Sequence, residues 1–127
     1  IDIVRSAGDA ILDIYRSDFA VEQKADDSPL TQADLAAHRT IAAGLAALDP
    51  SIPLLSEESS PPGFEVRRTW SRYWLVDPLD GTKEFVRGGE DYTVNIGLIA
   101  GGVPRLGVVL APEQGRLHGG LVGEGAW

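Results

Sequence analysis

The sequence contains no cysteine and no methionine among its 127 residues. Without cysteine there are no disulfides, no zinc-thiolate centres and no thiol catalysis, which fits a reducing compartment such as the cytoplasm. Positive charge is also scarce: 11 Lys and Arg stand against 19 Asp and Glu, leaving a net charge of −8, and no basic run occurs. A nucleic-acid polymer is therefore excluded as a partner, because its phosphates demand a basic footprint. No segment approaches the roughly 18 consecutive apolar residues of a membrane span, and no charged stretch leads into an apolar core as in a signal peptide. A chain that opens on Ile1 and lacks methionine is expected to be trimmed or incomplete. Homodimerisation and peripheral contact with an inner membrane are left open.

The composition that remains, 43% hydrophobic and 24% charged, is that of one soluble domain with its own core. Ile3, Val4, Ala7, Ala10, Ile11 and Ile14 recur at helical spacing and predict an amphipathic helix over residues 2 to 16. Residues 19 to 25 suit an edge strand, broken by a loop at Asp26-Asp27-Ser28-Pro29. A second helix is predicted from Thr31 through Leu48, stopped at Asp49-Pro50 because a residue before proline avoids the helical region. Ile52 to Leu55 form a short apolar strand. After residue 92 the pattern is all strand: Thr93 to Ala100 and Val103 to Leu110 meet at Gly101-Gly102, a hairpin signal, and Arg116 to Val122 follow a turn at Pro112-Glu113-Gln114-Gly115. Gly123 to Trp127 begin an element that the sequence does not finish. The expected architecture is α+β, a layered αβαβ domain with a mixed sheet against two helices.

The densest chemistry lies in Trp74-Leu75-Val76-Asp77-Pro78-Leu79-Asp80-Gly81-Thr82-Lys83-Glu84-Phe85. Trp74 to Val76 resemble a buried strand covered on both faces, which stops at two aspartates, a proline and a glycine. Pro78 stiffens the turn, Leu79 can present its carbonyl, and Gly81 permits close backbone approach or a positive φ. Carboxylates and a free carbonyl are hard oxygen ligands suited to Mg²⁺. Gly81 and Thr82 would open a short helix through Arg87, whose free N–H groups suit phosphate oxygens. An EF-hand is excluded, because the second acid falls fourth and the glycine fifth. Asp-Pro and Asp-Gly also make ordinary turns.

Other acids point the same way. The strand at Ile52 to Leu55 ends on Ser56-Glu57-Glu58, and ligands of open α/β sheets gather at the carboxyl ends of strands; a solvated pair of glutamates is the plain alternative. Thr31-Gln-Ala-Asp34 fits a capping box in the first turn of the second helix. His38, alone on an alanine-rich helix, suggests a packed or surface histidine. His118 has no visible acid partner and is unassigned. Ser59-Ser60-Pro61-Pro62-Gly63 is expected to form a loop, and Trp70 to Tyr73 lead back into the central strand.

Four phrases together, Lys24 to Asp34, Pro53-Leu-Leu-Ser-Glu-Glu58, Tyr73 to Phe85 and Tyr92-Thr-Val-Asn-Ile-Gly-Leu-Ile99, resemble the inositol-monophosphatase superfamily of Mg²⁺-dependent, lithium-sensitive phosphatases. Lys83-Glu84-Phe85 and the approach through Tyr73 favour its adenosine 3',5'-bisphosphate nucleotidase branch, tied to sulfur metabolism. The resemblance implies the N-terminal part of the sugar-phosphatase fold. It also implies that Glu57, Asp77, Asp80 and the Leu79 carbonyl bind Mg²⁺, with Asp77 bridging metals. Asp34 and Thr82 would orient and help deprotonate the attacking water, with Glu57 in the catalytic set. Asp80, Gly81, Thr82 and Lys83 would contact the phosphate of a small nucleotide. Bringing Glu57, Asp77 and Asp80 within a few ångströms is tolerable only with cations or protons among them. Family members continue into a second αβ region with a Trp-Asp-x-Ala-type motif, so residues 1 to 127 are expected to form an N-terminal metal-binding domain carrying a half-site, inactive or weak alone. The implied reaction is release of the 3'-phosphate from adenosine 3',5'-bisphosphate, and its sulfated relative is a further substrate to consider. An inositol or sugar phosphatase, or a non-catalytic metal-binding fragment, is the alternative.

Overall fold

The computed structural model describes residues 1–18 and 29–127. The edge strand expected over residues 19 to 25 and the loop at residues 26 to 28 lie outside the described residues, as does the side chain of Thr31. Two helices come first. α1 (Asp2–Asp18) runs two residues past the expected end. α2 (Pro29–Leu48) starts two residues early, since proline's fixed φ suits a first helical turn. Asp34 is therefore the sixth helical residue and Thr31 the third, inside the helix rather than at the cap position that a capping box requires.

The strands are β1 (Leu54–Ser56), β2 (Arg72–Asp80), β3 (Thr93–Ala100), β4 (Val103–Ala111), β5 (Arg116–Leu121) and β6 (Gly125–Ala126), with short helices α3 (Phe64–Arg67) and α4 (Thr82–Val86) between them. They form one sheet in sequential order. β1 and β2 are parallel, in register from Leu54 beside Trp74 to Ser56 beside Val76; all later pairs are antiparallel. The parallel pair needs a crossover, which the expected loop at 59 to 63 and α3 supply. The β3–β4 hairpin turns at Gly101 and Gly102, both at positive φ (61° and 76°), which is the requirement of a two-residue turn matching the strand twist.

Val4, Ala7 and Ile11 of α1 and Ala33, Ala37, Ile41 and Leu45 of α2 share one core with Trp74, Val76, Val94, Ile96, Val108 and Leu110 of the sheet. Gly8 lets α1 settle onto β4: a Cβ there would stand 2.6 Å from Leu110 Cδ2. Both helices thus cover the same face of the sheet. The expectation that β2 is covered on both faces is corrected, for Leu75, between buried Trp74 and Val76, is 46% exposed. A strand paired antiparallel on one side and roofed by helices on one face shows such alternation. β2 also continues through the expected turn to Asp80.

Candidate active site

Three elements deliver acids to one corner. β1 runs on beside β2, and the Glu57 N–H donates to Val76 O at 3.2 Å. The parallel register sets Glu57 abreast of Asp77, and in-register neighbours on parallel strands project to the same side. Their carboxyls are close enough to share a hydrogen bond. From α2, the Asp34 carboxyl meets Glu58 in the same way.

Next to this corner β2 carries a bulge. Asp77 pairs with Asn95 and Asp80 with Thr93, so three steps on β2 face two on β3. Pro78 sits in the bulge, where its missing N–H leaves no ladder bond unmade. Pro78 and Leu79 turn their side chains into the core. The Leu79 N–H donates to Asp77 Oδ1 at 3.2 Å, and Asn95 Nδ2 donates to Asp80 Oδ2 at 3.4 Å. The bulge therefore lifts Asp77 and Asp80 apart from a regular alternation and holds each by a separate donor. Gly81 follows at φ 91°. A Cβ there would stand 2.7 Å from Asp91 O, so both conformation and space demand glycine. α4 then opens with Thr82 and Lys83, both exposed. Phe85 anchors that helix, with its ring centroid 5.3 Å from Tyr92 and 5.2 Å from Tyr15.

The electrostatics record the crowding. Asp34 is pushed up to about 7, first by burial, then by the hydrogen bond and charge of Glu58 and the charges of Asp77 and Glu57. Asp77 is pushed up to about 6 by burial, by the charges of Glu57 and Asp80 and by the Glu57 hydrogen bond, against the opposing help of the Leu79 N–H. Asp34 Oδ1 is buried without a hydrogen-bond partner. Asp34 and Asp77, 43 positions apart in the chain, act on one another directly. Both Glu57 and Asp80 act on Asp77 by their charge. Among the described residues no group of three or more His, Asp or Glu side chains stands ready to hold a metal ion. The acids instead form the pairs Asp34–Glu58 and Asp77–Glu57, while Asp80 leans to Asn95. Two carboxyls can share one proton, and a third like charge is pushed outward. The donor set is nonetheless all hard oxygen, with one buried oxygen still unsatisfied, and this fits Mg²⁺ better than a soft ion.

Glu58, Asn95 and His38 have no site role in the sequence reading, yet they join this corner. The expectation of a packed histidine holds for His38, whose Nδ1 lies 2.9 Å from Ser56 Oγ. The signal was its spacing of four from Asp34, which puts both side chains on one helix face. His118 is exposed on β5 and far from the acids in the sheet order.

The fold is a two-layered αβ arrangement in which the end of a parallel strand pair and a bulge place carboxylates beside a helix opened by glycine. Residues 1–127 match the model of the Inositol monophosphatase family, and the chain belongs to that family. It is 54% identical to the 3'(2'),5'-bisphosphate nucleotidase CysQ of Escherichia coli, over 98% of this chain and 51% of that protein. The crystal structure of CysQ from Bacteroides thetaiotaomicron, a bacterial member of the inositol monophosphatase family, superposes with a TM-score of 0.90 at 44% identity, over 99% of this chain and 45% of the other. The extragenic suppressor protein suhB from Bartonella henselae gives 0.81 at 28% identity, over 99% and 48%. The chain spans about half the length of the curated relatives it matches. Among the described residues no helix is long and apolar enough to cross a membrane.

Proposed function

We propose that this chain is the N-terminal, metal-binding αβ portion of a Mg²⁺-dependent phosphomonoesterase that releases the 3'-phosphate of adenosine 3',5'-bisphosphate as inorganic phosphate, leaving AMP. The observation that carries the reading is the parallel β1–β2 register, which sets Glu57 abreast of Asp77, where the charges of both act on Asp34. Its second support is the similarity over the whole chain to the nucleotidases named above.

In this reading Glu57, Asp77, Asp80 and the Leu79 carbonyl would hold Mg²⁺, which when bound would supply acidified water and charge compensation for phosphoryl transfer. Asp34, with Thr82, orients the water and takes its proton. The water oxygen bonds to phosphorus, the bond from phosphorus to the 3' oxygen breaks, and that oxygen leaves with the electron pair and gains a proton. Gly81, Thr82 and Lys83, with Asp80, orient the phosphate. No covalent enzyme intermediate is required. The chain spans about half the length of the relatives it matches, and in this reading it contributes a half-site that the remainder of a full-length protein would complete.

Phosphate release from adenosine 3',5'-bisphosphate and from inositol 1-phosphate, measured side by side with and without Mg²⁺ on a chain extended to its relatives' length, tests the reading. Faster Mg²⁺-dependent release from the nucleotide is expected. Preference for inositol 1-phosphate would move the assignment within the family, and no release from either would leave only a metal-binding role.

A further inference from the structure

We infer that His38 is a positioning residue for the acidic corner, acting through Ser56 rather than touching metal or substrate itself; the inference deepens the proposed function and rests on it only for the metal arm of its test. Asp34 and His38 are four residues apart on α2, so both face the end of β1. Asp34 reaches Glu58, and the His38 Nδ1 shares a 2.9 Å hydrogen bond with Ser56 Oγ. Ser56 is 4% exposed, so its hydroxyl has little access to water and depends on this partner.

Ser56 is also the residue on which the acidic turn closes. Its carbonyl accepts the Ser59 N–H at 3.2 Å and the Ser59 hydroxyl at 3.0 Å. The next residue, Glu57, is tied to β2 through its own N–H to Val76 O. The two glutamates thus sit on a short turn fixed at both ends, and among the described residues the histidine is the side-chain tie from that turn's first residue to α2. β1 is three residues long and pairs on one side only, which gives it few other restraints. Fixing Ser56 against α2 fixes which glutamate meets Asp77 and which meets Asp34. Outer partners that orient ligand carboxylates are worth about 10- to 100-fold in metal affinity, although they never touch the ion.

The test compares the wild-type chain with His38→Leu, which keeps bulk and removes the bond, His38→Asn, whose amide can replace Nδ1, Ser56→Ala, and the double variant His38→Leu/Ser56→Ala. Hydrogen exchange at the Glu57 and Ser59 amides reads the turn without any metal, with the β3 and β4 amides as the control for global folding. Local opening at those two amides is expected to rise about tenfold in His38→Leu and Ser56→Ala, no further in the double variant, and to return in His38→Asn, with β3 and β4 unchanged. Calorimetric titration with Mn²⁺ is expected to show an affinity about tenfold lower in the same variants and recovered in His38→Asn. Unchanged exchange at Glu57 and Ser59 in both single variants overturns the inference, as does additive loss in the double variant. Should His38→Leu loosen the whole sheet, Ser56→Ala decides alone. If the wild-type chain takes up no Mn²⁺, the metal reading fails and the exchange result still judges the tie between His38 and Ser56.

Discussion

Asp34 gives the sharpest prediction, because its environment favours the protonated form so strongly. Its carboxyl is raised from 3.8 to about 7. A folded pKa above the unfolded one means that the native state holds a proton which the unfolded chain has released. The associated stability is fully present below about pH 4 and is lost as the pH rises through about 7. One pKa unit corresponds to about 1.4 kcal/mol, which sets a ceiling of about 4 kcal/mol for Asp34. Asp77, raised from 3.8 to about 6, loses its share earlier in the same window. The two share charges and are not additive, so a combined effect of about 2–4 kcal/mol is expected, a fall of roughly 6–15 °C in Tm for a domain of this size. The assay is thermal and urea unfolding in chelator from pH 4 to 8, on wild type and on Asp34→Asn. The general repulsion of 19 acids acts on both proteins, so the difference between them isolates the site. Wild type and the variant should be about equally stable near pH 4, wild type should fall below the variant as pH rises, and Mg²⁺ should restore its stability at pH 8. Parallel curves for the two proteins across the whole range would refute the reasoning.

In the chain extended to its relatives' length, Asp77→Asn should abolish Mg²⁺-dependent turnover while the far-ultraviolet dichroism stays unchanged, since it removes charge at a corner rather than packing. Asp34→Asn should cut kcat about 10²-fold or more with little change in metal affinity, as read by steady-state kinetics beside Mn²⁺ titration. Gly81→Ala should destabilise by about 1–3 kcal/mol in urea titration, from the positive φ and the 2.7 Å approach to Asp91 O. Tyr92→Phe should leave stability unchanged or raised by about 1 kcal/mol: among the described residues the Tyr92 hydroxyl is buried without a partner, and burial raises its pKa, so deletion removes a desolvation cost.

The apolar runs made most of the fold legible. Ile3 to Ile14 marked α1 because a helix buried on one side writes its period into the sequence, and Gly101-Gly102 marked the β3–β4 turn because few other residues accept two positive φ values. The bulge was not legible. Asp77-Pro78-Leu79-Asp80 contains turn formers in the order that a turn would use, and only the pairing to Asn95 and Thr93 shows that the strand continues. The limits of α2 were obscured for a similar reason, since Pro29 suits either a loop or a helix start. At the site, the acids at 34, 57, 77 and 80 were visible as residues. Their partners were not, because Glu58, His38 and Asn95 gain meaning only from the register of β1, β2 and β3 and from the face of α2.

The central claim is that Glu57 and Asp77, brought abreast by parallel strands, hold one cation between them. Calorimetric Mn²⁺ titration of wild type, Glu57→Gln, Asp77→Asn and the double variant measures this directly. The account predicts binding by wild type, a large loss in each single variant, and little further loss in the double. Equal affinity in all four proteins, or losses that simply add, would contradict it.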